Sequence, residues 1–220
     1  MAITDFSCVY YEDGDPLGKL LAYSALLPYV LIVHHASRFY SRREVHEGVI
    51  LSGLVLNEAV ARGLKHALRH QRPAATCARL NLCNSYGMPS SHTQCIAFGL
   101  VLHTFLCLRL FRGKSAGTRL TEACEVLLLA VGTVLTAASR VYLGYHTLEQ
   151  VAAGGLLGAV LGALCFWALG WRCWEGLAGC WLGRLLHLRG SWGLADPLAE
   201  EAEWYRARVV GVRGGKEKAQ

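Results

Sequence analysis

Residues 147–170 read TLEQVAAGGLLGAVLGALCFWALG, and this stretch decides the class of fold. Beyond Glu149 it carries no charge, and a helix of about 20 such apolar residues is long enough to cross the ~30 Å hydrocarbon core of a bilayer. Small residues recur along the stretch, at Ala152, Ala153, Gly154, Gly155, Gly158 and Gly162. Small side chains let helices pack closely in lipid, so this span is predicted to be a packed helix rather than a lipid-facing one.

Further apolar stretches extend the prediction to most of the chain. Of the 220 residues, 53% are hydrophobic and 17% are charged, which is too apolar for an ordinary soluble domain. Helices are predicted at about 20–36, 47–66, 91–110, 123–142 and 147–170, with a loop at 67–89 and the second helix more polar than the others. The chain is therefore predicted to be an all-α, polytopic helical membrane bundle with about five transmembrane helices.

Charges outside the spans predict the orientation of the chain. Basic residues follow the first and third helices, a basic segment follows the fifth, and the positive-inside rule places these three regions in the cytosol. Residues 1–19 are acidic, lack the basic start of a secretory signal peptide, and are predicted to be a luminal segment. The membrane core is then 20–170, followed by an interfacial and cytosolic segment at 171–220.

The C-terminal residues bear on the localisation of the protein, and the net charge bears on its partners. The chain ends Lys216-Glu217-Lys218-Ala219-Gln220, which looks like the cytosolic dilysine-type retrieval signal of endoplasmic reticulum membrane proteins. The net charge of +6 lies in short clusters between apolar spans, so it indicates membrane orientation or an anionic substrate and no nucleic acid. The nine cysteines form no CxxC pair and are interpreted mostly as small buried hydrophobes.

Three polar clusters at the ends of predicted helices carry the candidate chemistry. They are Lys65 with Arg72-Pro73, the segment Gly87-Met88-Pro89-Ser90-Ser91-His92, and Ser139-Arg140 followed after five residues by His146. Lys65 and Arg72 fall on one helix face if the second helix extends that far. Taken singly, the first cluster also fits a basic anchor at the membrane interface, the second a helix N-cap, and the third snorkelling side chains. Together they supply cations that can stabilise a phosphoryl group during transfer.

In this order, KXXXXXXRP, PSxH and SRXXXXXH resemble the three signatures of the phosphatidic acid phosphatase type 2 superfamily, over about residues 50–165. The resemblance implies that the phosphoryl oxygens are held by Lys65, Arg72, Arg140, Ser90, Ser139 and amides near Ser91. It implies that His146 attacks phosphorus and that His92 protonates the leaving oxygen. No metal and no cofactor are expected, because no Asp/Glu cluster with metal spacing is present.

Two positions depart from the usual superfamily pattern. Ser91 stands where Gly is usual, and Gln150 stands where Asp is usual, four residues after the nucleophile. The dolichyldiphosphatase branch shares both features, and the stretches LNE, YGMPSSH and SRVYLGYHT resemble that branch closely. Gln150 is expected to orient His146, and Glu149 is either a carboxylate that assists or a charge at the membrane surface.

Resemblance to this branch implies hydrolysis of a polyisoprenoid lipid diphosphate, dolichyl diphosphate, to dolichyl phosphate and phosphate. The reaction would use a phosphohistidine intermediate on the luminal side of the endoplasmic reticulum and would recycle the lipid carrier of protein N-glycosylation. The alternatives are a phosphatase of another lipid, such as phosphatidate, sphingosine phosphate or undecaprenyl diphosphate, and a non-catalytic membrane scaffold. A scaffold has no reason to keep both histidines and all three cations at these spacings.

Overall fold

The computed structural model describes residues 11–74, 84–109, 115–169, 175–190 and 199–207, and these residues form helices and no strand. The main helices are α1 (Pro16–Ser24), α2 (Leu27–Arg42), α3 (Val45–Leu68), α4 (Ser91–Arg109), α5 (Ala116–Tyr142), α6 (Leu148–Leu169), α7 (Glu175–Gly179) and α8 (Trp181–Leu185). The predicted helical membrane bundle is confirmed. The retrieval signal predicted at Lys216 and Lys218 lies outside the described residues.

Among the described residues, four helical segments are long and apolar enough to cross a membrane. They are Pro16–Arg42, Ser91–Arg109, Ala116–Tyr142 and Leu148–Leu169. With 24 residues, α3 is also long enough to cross ~30 Å of hydrocarbon, but its C-terminal half carries Glu58, Arg62 and Lys65. These charges lower its hydropathy, so the bundle has four apolar spans and one polar helix. A fifth crossing by α3 stays a prediction.

The first span is interrupted, where the sequence predicted one helix over 20–36. Pro28 has no amide hydrogen, so the carbonyl of Ser24, four residues earlier, has no helical partner from that position. The hydroxyl of Thr136 in α5 donates to that carbonyl at 3.2 Å. The interruption is thereby held against α5, and the second part of the span continues to Arg42, beyond the predicted end.

A stripe of glycines on α6 packs against the backbone of α4. Gly154 faces Ser90, directly before α4, and two further glycines face residues within α4: Gly158 faces Gln94 and Gly162 faces Phe98. A Cβ atom on any of the three would overlap the facing carbonyl. The predicted close approach of this span to another helix is confirmed, and it fixes where α4 and α6 begin relative to each other.

The opposite face of α6 is exposed, at Leu156, Val160, Leu164 and Trp167. The prediction that this span is packed rather than lipid-facing was therefore wrong for half of the helix. A four-residue glycine spacing follows only one side of a helix with 3.6 residues per turn, so it leaves the other side to large apolar residues.

The described part of the C-terminal segment sits on the corner between α2 and α3. The amide of Arg189 donates to the carbonyl of Arg43 at 2.7 Å, and its carbonyl accepts from the amide of Val45 at 2.9 Å. Trp181 and Leu185 of the short helix α8 are exposed by 76% and 66%, which suits contact with a membrane surface. The interfacial and cytosolic position predicted for 171–220 stays a prediction.

Candidate active site

The candidate side chains gather at one end of the bundle, where α3 and α5 end and where α4 and α6 begin. Below them lies a hydrophobic core from four helices, which includes Leu31, Ile50, Leu54, Phe98, Leu102 and Leu169. Between the core and the site, the buried amide of Gln94 donates to the carbonyl and the side-chain oxygen of Asn57, at 2.8 and 2.9 Å. These bonds fasten α4 to α3 directly beneath the site.

The first cluster reaches the site from a helix and from the loop that follows it. Lys65 lies in the last turn of α3, and Arg69 ends the helix in a left-handed conformation (φ 49°). The condition for a shared helix face is not met, because Arg72 lies beyond the helix. Its Nε atom donates to Ser85 Oγ (2.8 Å) and its Nη1 atom to the Tyr145 carbonyl (3.0 Å). The loop thus carries Arg72 to the connection between α5 and α6.

The second cluster forms the start of α4. Ser91 is its first residue, and Ser91 Oγ accepts a hydrogen bond from Lys65 Nζ at 3.2 Å. His92 follows within the first turn, with its ring edge-on to Tyr29 at 5.9 Å between centroids. The first amide hydrogens of a helix have no partner within the helix, so this terminus suits a phosphate oxygen beside the ammonium of Lys65.

Ser139 and Arg140 near the end of α5 are buried polar residues with unused hydrogen-bonding capacity. Within the part of the chain that the structure describes, Ser139 Oγ and Arg140 Nε have no hydrogen-bond partner. The guanidinium of Arg140 lies over the ring of Tyr145, 4.3 Å from its centroid, and only 7% of the residue is exposed. An unpaired buried donor is unfavourable, so both residues are suited to an anion that completes their bonds.

Gln150 forms a capping box with Thr147 at the start of α6. The backbone amide of Gln150 donates to Thr147 Oγ1 at 3.4 Å, and the backbone amide of Thr147 donates to the side-chain oxygen Oε1 of Gln150 at 3.2 Å. The same Oε1 atom lies 3.1 Å from Nδ1 of His146. Because α6 begins after His146, the two side chains meet through this capping turn and not along a helix face. The Gln150 carbonyl also accepts from the Ser90 amide at 3.0 Å, which joins α6 to α4.

The backbone partners of Gln150 determine the tautomer of His146. The Thr147 amide can only donate, and the carbonyl of Gln71, 2.8 Å from Gln150 Nε2, can only accept. The amide oxygen of Gln150 therefore faces His146, whose Nδ1 must carry the hydrogen. Nε2 of His146 then carries a lone pair. It lies 3.4 Å from Nη1 of Arg72, an atom that can only donate. The nitrogen that the predicted attack would use thus faces a cation.

Glu149 is not brought to the site. It is exposed, and its carboxylate forms no hydrogen bond or ion pair with the residues that the structure describes. The other expected site residues lie together: Lys65, Arg72, Ser90, Ser91, His92, Ser139, Arg140, His146 and Gln150. Their individual roles stay predictions.

Electrostatics favour a neutral His146. Burial lowers the pKa of His146 well below its ordinary value of 6.5; the positive charge of Arg72 lowers it further, and Arg140 and Lys65 add to this. The hydrogen bond with Gln150 acts in the opposite direction. Burial also lowers the pKa of Arg72. Among described residues, no carboxylate forms an ion pair with any of the three cations, so their charge is available to an anionic ligand.

Sequence reasoning missed four residues that hold the site together: His70, Gln71, Ser85 and Tyr145. Nothing in the local pattern marks them, because their contacts join loops; the bond from Arg72 to Tyr145 spans 73 positions. The capping box was detectable, since Thr147 and Gln150 stand at the S/T-x-x-E/Q spacing directly before an apolar run.

The sequence is similar to a known family and to several curated proteins. Residues 47–174 match the model of the PAP2 superfamily. Lipid phosphate phosphatase gamma of Arabidopsis thaliana is 34% identical, with 90% of this chain and 88% of that protein covered. Dolichyldiphosphatase 1 of Rhinolophus ferrumequinum is 39% identical over 72% of this chain and 67% of that protein, and Dolichyldiphosphatase of Saccharomyces cerevisiae is 30% identical over 93% and 88%.

No solved structure is significantly similar to the chain. The family match covers more than half of the chain, and the relatives align over most of it. The matched region contains every candidate site residue that the fold brings together. The chain therefore belongs to the PAP2 superfamily and is a membrane-embedded phosphohydrolase similar to the dolichyldiphosphatases.

Proposed function

We propose that the protein hydrolyses dolichyl diphosphate to dolichyl phosphate and phosphate, by way of a phosphohistidine at His146. The observation that carries the proposal is the environment of His146 Nε2. Gln150 fixes the ring so that this nitrogen bears a lone pair, and Arg72 stands 3.4 Å from it. A neutral nucleophile beside cations without carboxylate partners is the arrangement that attack on a phosphoryl group requires.

In the first step, His146 Nε2 forms a bond to the terminal phosphorus while the bond from phosphorus to the bridging oxygen breaks. His92 in its protonated form gives a proton to that oxygen, and dolichyl phosphate leaves. Water then attacks the phosphohistidine and gives a proton to His92, which releases phosphate and restores both rings. Lys65, Arg72 and Arg140 hold the equatorial oxygens, where charge accumulates in the transition state.

Ser139 Oγ and Arg140 Nε support this assignment of roles. Both atoms are buried without a partner among the described residues, at the helix end that adjoins His146. Phosphoryl oxygens would accept from both. Ser90 and Ser91 stand at the start of α4, where backbone amides and the Lys65 ammonium can hold a further oxygen. The proposed site uses these groups and no carboxylate cage, so hydrolysis is proposed to need no metal.

Dolichyl diphosphate is favoured over other lipid phosphates by the residues that depart from the superfamily pattern. Ser91 and Gln150 match the dolichyldiphosphatase branch, and relatives so named align over most of the chain. Phosphatidate is the second candidate, because the plant relative is named a lipid phosphate phosphatase and aligns over 90% of the chain.

One assay separates these candidates. Purified protein in lipid is given dolichyl diphosphate or phosphatidate, and released phosphate is measured with and without chelator. We expect preference for dolichyl diphosphate, full activity in chelator, inhibition by vanadate and no activity in His146→Ala. A preference for phosphatidate would overturn the substrate, and full activity of His146→Ala would overturn the intermediate. With labelled substrate, the protein should retain little labelled phosphate after an acid quench and more after an alkaline quench, because phosphohistidine is acid-labile.

The proposed place of the reaction is the luminal face of the endoplasmic reticulum, in support of protein N-glycosylation. There the site would lie on the same side as residues 1–19, with 20–170 as the membrane core and 171–220 at the interface and in the cytosol. Replacing Lys216 and Lys218 by Ser should release a tagged protein from the reticulum. Complete retention of that variant would show that this tail does not retain the protein.

A further inference from the structure

His70 makes a contact that extends to the proposed nucleophile. It lies in the loop after α3, and its Nδ1 atom is 2.8 Å from Nε2 of Gln150, 80 positions away in the chain. The ring of His70 is exposed, whereas Gln150 is fully buried. The contact therefore joins a surface loop to the buried amide that faces His146.

The hydrogens of the Gln150 amide determine the state of His70. One hydrogen of Nε2 goes to the carbonyl of Gln71 at 2.8 Å, which leaves the other for His70. Nδ1 of His70 also lies 3.2 Å from the carbonyl of Gln71, a longer contact than its 2.8 Å to Nε2 of Gln150. Two N–H donors cannot face each other at 2.8 Å, so the shorter contact decides: His70 Nδ1 carries a lone pair and its hydrogen lies on Nε2. All hydrogen-bonding directions of the amide are then used, with His146 and Thr147 on the oxygen and Gln71 and His70 on the nitrogen.

The loop is shaped around this amide. The backbone carbonyl of His70 accepts a hydrogen bond from the Gly87 amide at 2.8 Å. A Cβ atom on Gly87 would lie only 2.6 Å from both terminal atoms of the Gln150 side chain. The absence of a side chain at Gly87 thus makes room for Gln150, and His70 closes the remaining side.

A neutral amide depends on hydrogen-bond partners for its orientation more than a carboxylate would. The two ends of a carboxylate are equivalent, but an amide turned by 180° presents a donor in place of an acceptor. A turned Gln150 would face Nδ1 of His146 with N–H and would favour the hydrogen on Nε2, where attack must occur. The amide of Thr147 and the carbonyl of Gln71 oppose that turn. His70 adds to them, because its hydrogen would have to move from Nε2 to Nδ1 to meet the amide oxygen.

We propose that His70 is a positioning residue that holds Gln150 in the orientation which keeps the lone pair of His146 on Nε2. The inference rests on the proposed nucleophilic role of His146. His70 touches neither the substrate nor the reacting atoms and acts through Gln150.

The test compares His70→Leu, which has no acceptor, with His70→Asn, whose side-chain oxygen can replace Nδ1. We expect His70→Leu to lower kcat about tenfold with KM changed less than about twofold, as loss of one orienting hydrogen bond implies. His70→Asn should recover kcat to within about threefold of wild type. The matched control is His66→Leu, since His66 is also exposed and its ring faces Tyr86 rather than Gln150.

A double-mutant cycle separates positioning from loop stability. In a Gln150→Ala background, His70→Leu should lower kcat no further, because the group that it orients is gone. An additive effect in the cycle, or a wild-type kcat in His70→Leu, would overturn the role of His70. The proposed function would still be supported if the wild-type protein turns over and His146→Ala is inactive.

Vanadate binding gives a readout that does not depend on turnover. Vanadate mimics pentacoordinate phosphorus and must meet the lone pair of His146, so its affinity, measured by thermal shift, should fall in His70→Leu and be retained in His70→Asn. Unchanged affinity in His70→Leu would contradict the proposal. A wild-type protein with neither turnover nor vanadate binding would overturn the proposed function and the role of His70 together.

Discussion

Gln150 has two tasks, one in the helix and one in the site. Its backbone and side chain complete the capping box of α6 with Thr147, and its amide oxygen accepts the hydrogen of His146 Nδ1. A capping box alone is satisfied by Glu or Gln, so the helix does not explain the amide. The contact with the carbonyl of Gln71 explains it, because the amide of Gln150 donates to that carbonyl and a carboxylate in its place could not.

Gln150→Ala should therefore impair turnover more than binding. We expect kcat to fall by about thirtyfold or more with a small change in KM, because the imidazole loses the acceptor that selects its tautomer. The cap contributes about 1 kcal/mol to stability, and Thr147→Val removes the cap hydroxyl while the Thr147 amide remains. Thr147→Val should melt at a lower temperature yet keep most of its kcat. Equal loss of kcat in the two variants would show that the cap matters and orientation does not.

The pKa of His146 predicts the acid limb of the pH profile. The neutral imidazole is the nucleophile, and burial with nearby positive charge lowers its pKa below 6.5. The acid limb of kcat/KM should therefore lie below pH 6.5, in assays that keep the lipid phosphate in one charge state. Removal of a neighbouring positive charge favours protonation, so in Arg72→Gln this limb should move to higher pH.

Arg69→Gln is the matched control for that shift. Arg69 is exposed, and its Nε atom donates to the carbonyl of His66, so the same change of charge occurs outside the site. It should leave the acid limb where it is. Arg72→Gln should also lower kcat/KM by about a hundredfold or more, because it removes a donor to the transferring group. An acid limb that does not move in Arg72→Gln would assign it to a group other than His146.

At this scale the sequence predicts chemistry better than contacts. The types and order of Lys65, Arg72, His92, Arg140 and His146 predicted the constellation that the fold brings together, because each residue lies at a helix end or within a few residues of one. The contacts of Gln71, His70 and Ser85 were not predictable, because they depend on how one loop folds over α6. Glu149 was named as a candidate from its spacing alone, and the first turn of α6 points it outward.

At the scale of helices, the glycine stripe of α6 sets the geometry of the site. α4 presents Ser90 to His92 at its start, α6 follows His146, and the two helices meet along the stripe. A shift between them would separate His92 from His146. The stripe was predictable because small residues recur at four-residue spacing, whereas the interruption at Pro28 depends on the hydroxyl of Thr136 from a distant helix.

Gly158→Ala should therefore lower both stability and activity. Its Cβ would overlap the carbonyl of Gln94, which is backbone and cannot move aside without moving α4. We expect a loss of about 1–3 kcal/mol, seen as a lower melting temperature in lipid nanodiscs, with kcat reduced as the two histidines separate. Gly155→Ala is the control, because its Cβ would make only an ordinary 3.8 Å contact with Thr93. Equal melting temperatures in the two variants would contradict this account.

At the scale of the whole molecule, the two ends of the bundle differ in charge chemistry. The site end also holds the start of α1, where Tyr142 at the end of α5 donates to Asp15 at 3.1 Å. At the opposite end, the buried carboxylate of Glu47 forms an ion pair with Arg38 at 2.7 Å and a hydrogen bond with His35 at 2.8 Å. Arg43 donates a hydrogen bond to the carbonyl of Leu186 at 3.1 Å, so the part of the C-terminal segment around residues 186–189 lies at this opposite end.

The distribution of Lys and Arg between these ends predicts the topology. At the opposite end, Arg38, Arg42, Arg43, Arg109, Arg119, Arg184 and Arg189 cluster near helix termini and take no part in the site. At the site end, Lys65, Arg72 and Arg140 are proposed to hold the substrate, which leaves Lys19, Arg62 and Arg69 among the described residues there. Because more basic residues remain at the opposite end, the positive-inside rule predicts that this end lies in the cytosol and the site in the lumen.

Cysteine labelling in sealed microsomes tests this orientation. In a background without the nine native cysteines, Cys is placed at Asn84, which is exposed beside the site, or at Gly117, where a new side chain meets nothing within 4 Å. A membrane-impermeant maleimide should label Gly117→Cys in intact vesicles and Asn84→Cys only after detergent. Asn84 lies at the site end and Gly117 near the start of α5. The 27 residues of that helix span about 40 Å, which separates the two ends. Labelling of both in intact vesicles would mean that α5 does not cross the bilayer, and the reverse pattern would place the site in the cytosol.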